Sequence, residues 1–349
     1  MVTREEIIEA LKQVRYPGYS RDIVSFGLVK GVEFPGQGTV VRLEVNSAEA
    51  NVPGILQERV AEAVGRLPGV GKPVDVRVKV NAASAGPDSL PEKSGIAGVR
   101  HIIAVASGKG GVGKSMVAAN LAAAFQAAGR RVGLCDCDLY GPSLALMFGT
   151  SERPTMGEDE LINPVTVSGV KLMSMGLLVE GHSPVALRGP MVTRYTQQFL
   201  RSVRWGELDV LVLDLPPGTG DIQLTIVQTL TLDGAVIVST PQEVALIDAR
   251  KAAGMFAKVG VRILGVVENM SYFLAPDSGK RYDIFGAGGA KLEAEKLGVP
   301  LLAEVPIEVA ARESADRGHP IVWQDAGALT ARAFIAAAGK IGEIFGWTN

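Results

Sequence analysis

Two regimes of hydrophobic patterning divide the chain. Over residues 5–14 and 53–66 the apolar positions recur at helical spacing, residues 23–30 and 39–45 form strand-like runs, and residues 74–80 alternate strictly. Tyr16-Pro17-Gly18 and Leu67-Pro68-Gly69 punctuate these stretches, so residues 1–81 read as a small α+β unit. Small residues with Pro87 and Pro91 follow and offer little to bury, which marks residues 82–98 as a linker. From residue 99 the rhythm changes. Short apolar runs at 101–105, 131–137, 170–175, 210–213, 235–239, 263–267 and 301–305 alternate with helical stretches at 115–128, 191–203 and 243–259. That alternation predicts a mostly parallel α/β sheet with crossover helices over residues 99–349.

Composition supports this two-domain reading: 349 residues, 47% of them hydrophobic and 21% charged, suffice for two cores. A formal net charge of -2 gives no bulk attraction to a polyanion, so nucleic acid is not an expected partner. Glu5, Glu6 and Glu9 stand where a basic leader would lie, and no apolar run is long enough to span a membrane, so a cytoplasmic location is expected. The apolar residues 331–345 read as a packed segment. Cys135 and Cys137, one residue apart, cannot make a disulfide scaffold.

Chemistry concentrates where the first parallel strand ends. Gly108-Lys109-Gly110-Gly111-Val112-Gly113-Lys114-Ser115 has the form G-x-x-x-x-G-K-S between a strand and a helix. Its backbone N–H groups and the helix N-terminus suit phosphate, Lys114 suits the β- and γ-phosphates of ATP or the β-phosphate of ADP, and Ser115 suits magnesium. Asp214 ends the apolar run 210–213, a position fit to hold Mg2+ through water. In an extended Cys135-Asp136-Cys137-Asp138 the carboxylates point to one side and the sulfurs to the other. Asp138 is then the preferred water-orienting group, and Asp136 supports either magnesium or local geometry. Either Gly218 or Gly220 is placed to offer an N–H to the γ-phosphate.

Lys109 with this loop, the segment 136–143 and the segment 214–221 together resemble the Mrp/ApbC iron–sulfur cluster carrier ATPases. Further matches are 187–191, Glu268-Asn269-Met270-Ser271-Tyr272, 285–289 and Arg312-Glu313. The first 80 residues are similar to the iron–sulfur assembly domain often fused ahead of that ATPase, through 22–25 and 67–70. The resemblance implies a deviant phosphate-loop NTPase fold and a homodimer in which Lys109 acts across the interface. It also implies ATP hydrolysis to ADP and phosphate, slow without a partner, and adenine recognition by Asn269 with backbone near Pro306. Iron–sulfur assembly or recipient proteins are the implied partners.

Two departures matter. Ser47-Ala48-Glu49-Ala50-Asn51 stands where relatives carry a cysteine in the small domain, and Ala275-Pro276-Asp277-Ser278 stands where they carry C-x-x-C. Neither alanine nor serine replaces a thiolate on iron, so no iron–sulfur ligand is assigned and a bound cluster is left open. The alternative function is an ATP-dependent assembly scaffold or partner-regulating switch that does not carry a cluster. Cys135 and Cys137 in an apolar strand read as packing, and His101, His182 and His319 form no ligand motif. Lys171, Arg188, Arg194 and Arg201 lack the interleaved aromatics of a single-strand binding platform.

Overall fold

The computed structural model describes residues 2–15, 17, 22–25, 27–35, 38–45, 52–80, 93–138, 141–178 and 200–347. The chain divides into two compact units, Met1–Pro91 and Glu92–Asn349.

In the first unit, helix α1 (Arg4–Leu11) starts at a capping box, where the Thr3 hydroxyl accepts from Glu6 N and the Glu6 carboxylate accepts from Thr3 N. Strands β1 (Val29–Glu33) and β2 (Thr39–Val45) pair antiparallel, and β2 pairs parallel with β3 (Val74–Val80). Helix α2 (Val52–Gly65) connects β2 to β3 and buries Val52, Leu56, Val60 and Val64, one residue per turn, against Val41, Leu43 and Val76. The strand expected over residues 23–30 is shorter than its apolar content suggested. Asp22 Oδ1 accepts from Val24 N and Ser25 N, which folds 22–25 into a turn, and Gly27 takes a φ of +71°. The loop 47–51 and the turn at Tyr16 and Gly18 lie outside the described residues.

The second unit is built on an eight-stranded sheet. Its strands are β4 (Val99–Ala106), β5 (Val132–Asp136), β8 (Val165–Val167), β9 (Val170–Ser174), β10 (Leu208–Asp214), β11 (Gly234–Ser239), β12 (Ile263–Glu268) and β15 (Leu301–Glu304). Two small ribbons, β6 (Thr155–Met156) with β7 (Ile162–Asn163) and β13 (Phe273–Leu274) with β14 (Arg281–Tyr282), stand apart from it. The order is β15-β12-β11-β4-β10-β5-β9-β8, with every pairing parallel except the edge pair β8 and β9. Alternate residues of the central strands serve opposite cores: Ile103, Val105 and Leu134 face helix α3 (Lys114–Ala127), while Ile102, Ala104 and Cys135 join the opposite core, to which the helix Glu243–Lys258 contributes Ala249, Ala252 and Phe256. Helix α3 is buried nearly all round, because the helix Leu329–Ile344 covers its other side with Phe334, Ala337 and Ile341. The apolar end of the chain is therefore packed, and among the described residues no helix is long and apolar enough to cross a membrane.

Residues 93–98, read from the sequence as linker, are fastened to this unit. Ser94 N donates to Thr229 O, Thr231 N donates to Ser94 O, and Lys93 Nζ donates to Val259 O. Of the expected helix over 191–203, only its last residues are described.

Candidate functional site

The sheet places its reactive residues at the carboxyl ends of β4, β10 and β5, three adjacent strands. Asp214, the last residue of β10, lies in register with Val105 of β4 and with Asp136, the last residue of β5. The phosphate loop leaves β4 and returns as α3, with Gly111 and Gly113 at φ of +83° and +78°. A β-carbon on Gly108 would sit 2.0 Å from the Asp248 carbonyl, and one on Gly113 would sit 2.2 Å from Asn269 Nδ2. The loop is thus pressed between a helix and the Asn269 turn, with the Asp248 backbone excluding a side chain at Gly108 and the Asn269 amide excluding one at Gly113.

Lys114 is buried; its Nζ pairs with Asp214 Oδ1 and lies 3.4 Å from Ser115 Oγ. Asp214 is fully buried, and its Oδ2 has no hydrogen-bond partner. Burial raises the Asp214 carboxyl above the usual carboxylate range, against the opposing pull of Lys114. An orphaned carboxylate oxygen beside a serine hydroxyl is an oxygen donor set that fits Mg2+. Facing this cluster is a chamber of about 240 Å3 lined by Lys109, Gly111, Lys114, Ser115, Asp138 and Pro217, among others. Of the residues singled out in the sequence, Lys109, Gly110, Gly111, Gly113, Lys114, Ser115 and Asp138 share this cavity, whereas Gly108 and Val112 do not line it.

Asp136 sits elsewhere. It does not line that chamber; its Oδ1 accepts from Asp138 N at 3.1 Å, and its Oδ2 accepts from Ser143 N at 3.0 Å, Leu144 N at 3.2 Å and Ser174 Oγ at 3.1 Å. It is an anchor for the loop that carries Asp138 and for helix α4 (Leu144–Met147). Sequence offered no sign of Ser174, because the contact joins strands 38 residues apart. Burial, with the nearby Asp214 charge, raises the Asp136 carboxyl to about 7, against the four donors that favour its charged form. Between the ordinary carboxylate value and about pH 7 the folded state holds a proton that the unfolded chain has released. This contribution to stability is therefore present at low pH and is lost as pH rises through about 7. Urea unfolding midpoints are expected to fall from pH 4 to pH 7 in the wild type, and Asp136→Asn is expected to lessen that slope, leaving the part that the raised Asp214 carboxyl contributes.

Asn269 follows β12 in a turn whose next residue, Met270, has a φ of +54°. Its Nδ2 donates to Val112 O at 2.8 Å, so it is bound to the phosphate loop. The neighbouring Glu268, not singled out in the sequence as a site residue, is fully buried; it accepts from Ser271 Oγ at 2.6 Å and Ala290 N at 2.8 Å and so fixes this turn. Segment 305–307 runs alongside, with Ser271 N donating to Val305 O and Ile307 N to Tyr272 O, which brings Pro306 next to the Asn269 turn. A cleft of about 360 Å3 opens there, lined by Phe273, Ala275, Pro276, Pro306, Ile307 and Val309.

Ala275 and Ser278 occupy the turn of the β13–β14 hairpin, where Gly279 N donates to Ala275 O at 2.8 Å. Cys135 and Cys137 lie with their sulfurs 4.0 Å apart in the core on the side away from the Asp136 carboxylate, and burial pushes the Cys135 thiol well up. Among the described residues no group of three or more His, Cys, Asp or Glu side chains could hold a metal ion. His101 stacks on Phe345 and meets Asp233 at 3.3 Å, a packing role, while His182, Arg188 and Arg194 lie outside the described residues. Lys171 and Arg201 are engaged with Trp205 O and Ser94 Oγ.

The family described as NUBPL iron-transfer P-loop NTPase matches residues 98–342, and that described as iron-sulfur cluster assembly protein matches residues 4–78. The chain belongs to this family of iron–sulfur carrier P-loop NTPases. An iron-sulfur cluster carrier protein of Synechocystis sp. is 42% identical to this carrier-family NTPase over 346 residues, 98% of this chain and 97% of the relative. A nucleotide-binding protein of Archaeoglobus fulgidus, solved in complex with ADP, matches with a TM-score of 0.57 and 39% identity, covering 64% of this chain and 88% of that one. The septum site-determining protein MinD of Pyrococcus horikoshii, complexed with Mg-ADP, matches with a TM-score of 0.54 and 25% identity, covering 70% and 97%. The mostly parallel sheet and phosphate loop of this carrier-family NTPase are thus the deviant phosphate-loop fold expected from its sequence.

Proposed function

We propose that this chain is a Mg2+-dependent ATPase producing ADP and phosphate, working as a homodimer in iron–sulfur cluster assembly. The observation that carries this reading is the buried Lys114–Asp214 pair with its orphaned Oδ2, facing a phosphate-sized chamber that also holds Asp138. With ATP bound, Lys114 exchanges its carboxylate partner for the β- and γ-phosphates. Ser115 and, through water, Asp214 would hold Mg2+, which supplies charge neutralisation at the phosphates. Asp138 orients the attacking water. Lys109 reaches the nucleotide of a second subunit, and Asn269 with the backbone at Pro306 receives adenine. Turnover is slow until a partner orders the loops.

A second reading, a scaffold or switch that carries no cluster, is favoured by Ala275 and Ser278 in the hairpin turn and by the burial of both cysteines. One sample tests both readings: anaerobic reconstitution with iron and sulfide, elemental analysis, then oligomer size and phosphate release with Mg-ATP and Mg-ADP. Phosphate release with ATP-dependent dimerisation is expected. Retained iron and labile sulfide selects carriage on ligands outside 275–278, and their absence selects the scaffold. No Mg-ATP hydrolysis at any protein concentration overturns the ATPase reading.

A further inference from the structure

Beyond Asp138 lies a second chamber, of about 440 Å3, that shares Asp138 and Pro217 with the phosphate chamber and is completed by Gly141, Pro216, Ile222 and Gln223, among others. Gln223 belongs to the helix Asp221–Thr229 and is 1% exposed. Its Nε2 donates to Pro216 O, which fixes the orientation of the amide, since an oxygen turned toward that carbonyl would be repelled. Its Oε1 is left buried with no partner. Pro216 and Pro217 bring no N–H to this wall, and the one side-chain donor, Nε2, is already engaged. An orphaned buried acceptor at the wall of a chamber that also holds the Asp138 carboxylate calls for a donor from within the chamber. Water, which donates twice, meets that need.

We propose that Gln223 is a positioning residue for hydrolysis. Its Nε2 holds the loop 216–220, itself tied to the phosphate loop by Gly218 N donating to Ser107 O at 3.0 Å. Its Oε1 accepts from a water in the second chamber that hydrogen-bonds Asp138 from the side opposite the phosphates. That water fixes the orientation of Asp138 toward the attacking water. The inference rests on the ATPase reading above and adds the residue that sets Asp138.

The test compares wild type with Gln223→Met, which keeps length and loses both hydrogen bonds, and Gln223→Glu, which keeps the acceptor oxygen. Gln223→Met is expected to lower kcat at least about 10-fold with Kd for Mg-ATP and Mg-ADP close to wild type, and to lower the melting temperature by leaving the buried Pro216 O unpaired. Gln223→Glu donates to Pro216 O only while its carboxyl is protonated, so its turnover is expected to approach wild type at low pH and to fall as pH rises. A Gln223→Met enzyme with wild-type kcat, or one whose nucleotide affinity falls in step with kcat, overturns the proposal while leaving the ATPase reading intact. A wild type that hydrolyses nothing overturns both.

Discussion

Replacing Lys114 with Met is expected to weaken Mg-ATP binding by at least about 100-fold, equivalent to about 2.8 kcal/mol, and to destabilise the nucleotide-free protein as well. The two losses have different causes. Binding falls because the ammonium that would meet the β- and γ-phosphates is gone. Stability falls because Asp214, fully buried, loses the cation that compensates it. Breaking a buried pair from one side costs about 3–5 kcal/mol; the lower end is expected here, because burial already raises the Asp214 carboxyl and lets it take up a proton. Combining Lys114→Met with Asp214→Leu removes both charges and is expected to regain most of the stability while recovering no binding. Urea unfolding and calorimetric titration with Mg-ATP separate the two quantities. A single variant that bound Mg-ATP as tightly as wild type would remove Lys114 from the phosphate site.

The second large effect distinguishes two carboxylates that sequence places side by side. Asp138→Asn is expected to cut turnover by about 10²–10⁴-fold, the range for loss of a group that orients or accepts a proton. Nucleotide affinity and unfolding midpoint are expected to stay within error, since Asp138 is only part-buried at the chamber wall and an amide oxygen still accepts from Gly141 N. Asp136→Asn is expected to act in the opposite proportion. It turns an amide toward donors on one side of the carboxylate, so stability falls by about 1–3 kcal/mol per donor left unsatisfied, and turnover falls as the loop carrying Asp138 loosens. Equal loss of turnover at unchanged stability for both variants would give Asp136 a catalytic role alongside Asp138.

The same pair shows where sequence reading stops. Alternation along an extended strand correctly separates carboxylates from sulfurs, because side chains two residues apart share a face. It cannot tell which carboxylate meets the nucleotide, because that depends on where the chain turns after β5. Here the turn carries Asp138 over the phosphate loop and directs the backbone N–H groups of Ser143 and Leu144 back at Asp136. The small unit gives a matching case: alternation located residues 74–80 as a strand, whereas the apolar content of 23–30 concealed a turn closed by Asp22.

By itself the sequence determined the phosphate loop, the parallel rhythm of strands and helices, and the loss of thiols at 275 and 278. Each is a local property, written in residue type, spacing and periodicity. Only the tertiary structure decided that Lys114 is buried against Asp214, that Asp136 anchors a loop and that Glu268 fixes the Asn269 turn. It alone also places an unsatisfied Gln223 oxygen behind Asp138. The reason is physical: these are pairings between strand ends and loops far apart in the chain, and burial, which sets both the carboxyl shifts and the cost of an orphaned oxygen, exists only once the sheet has brought those ends together.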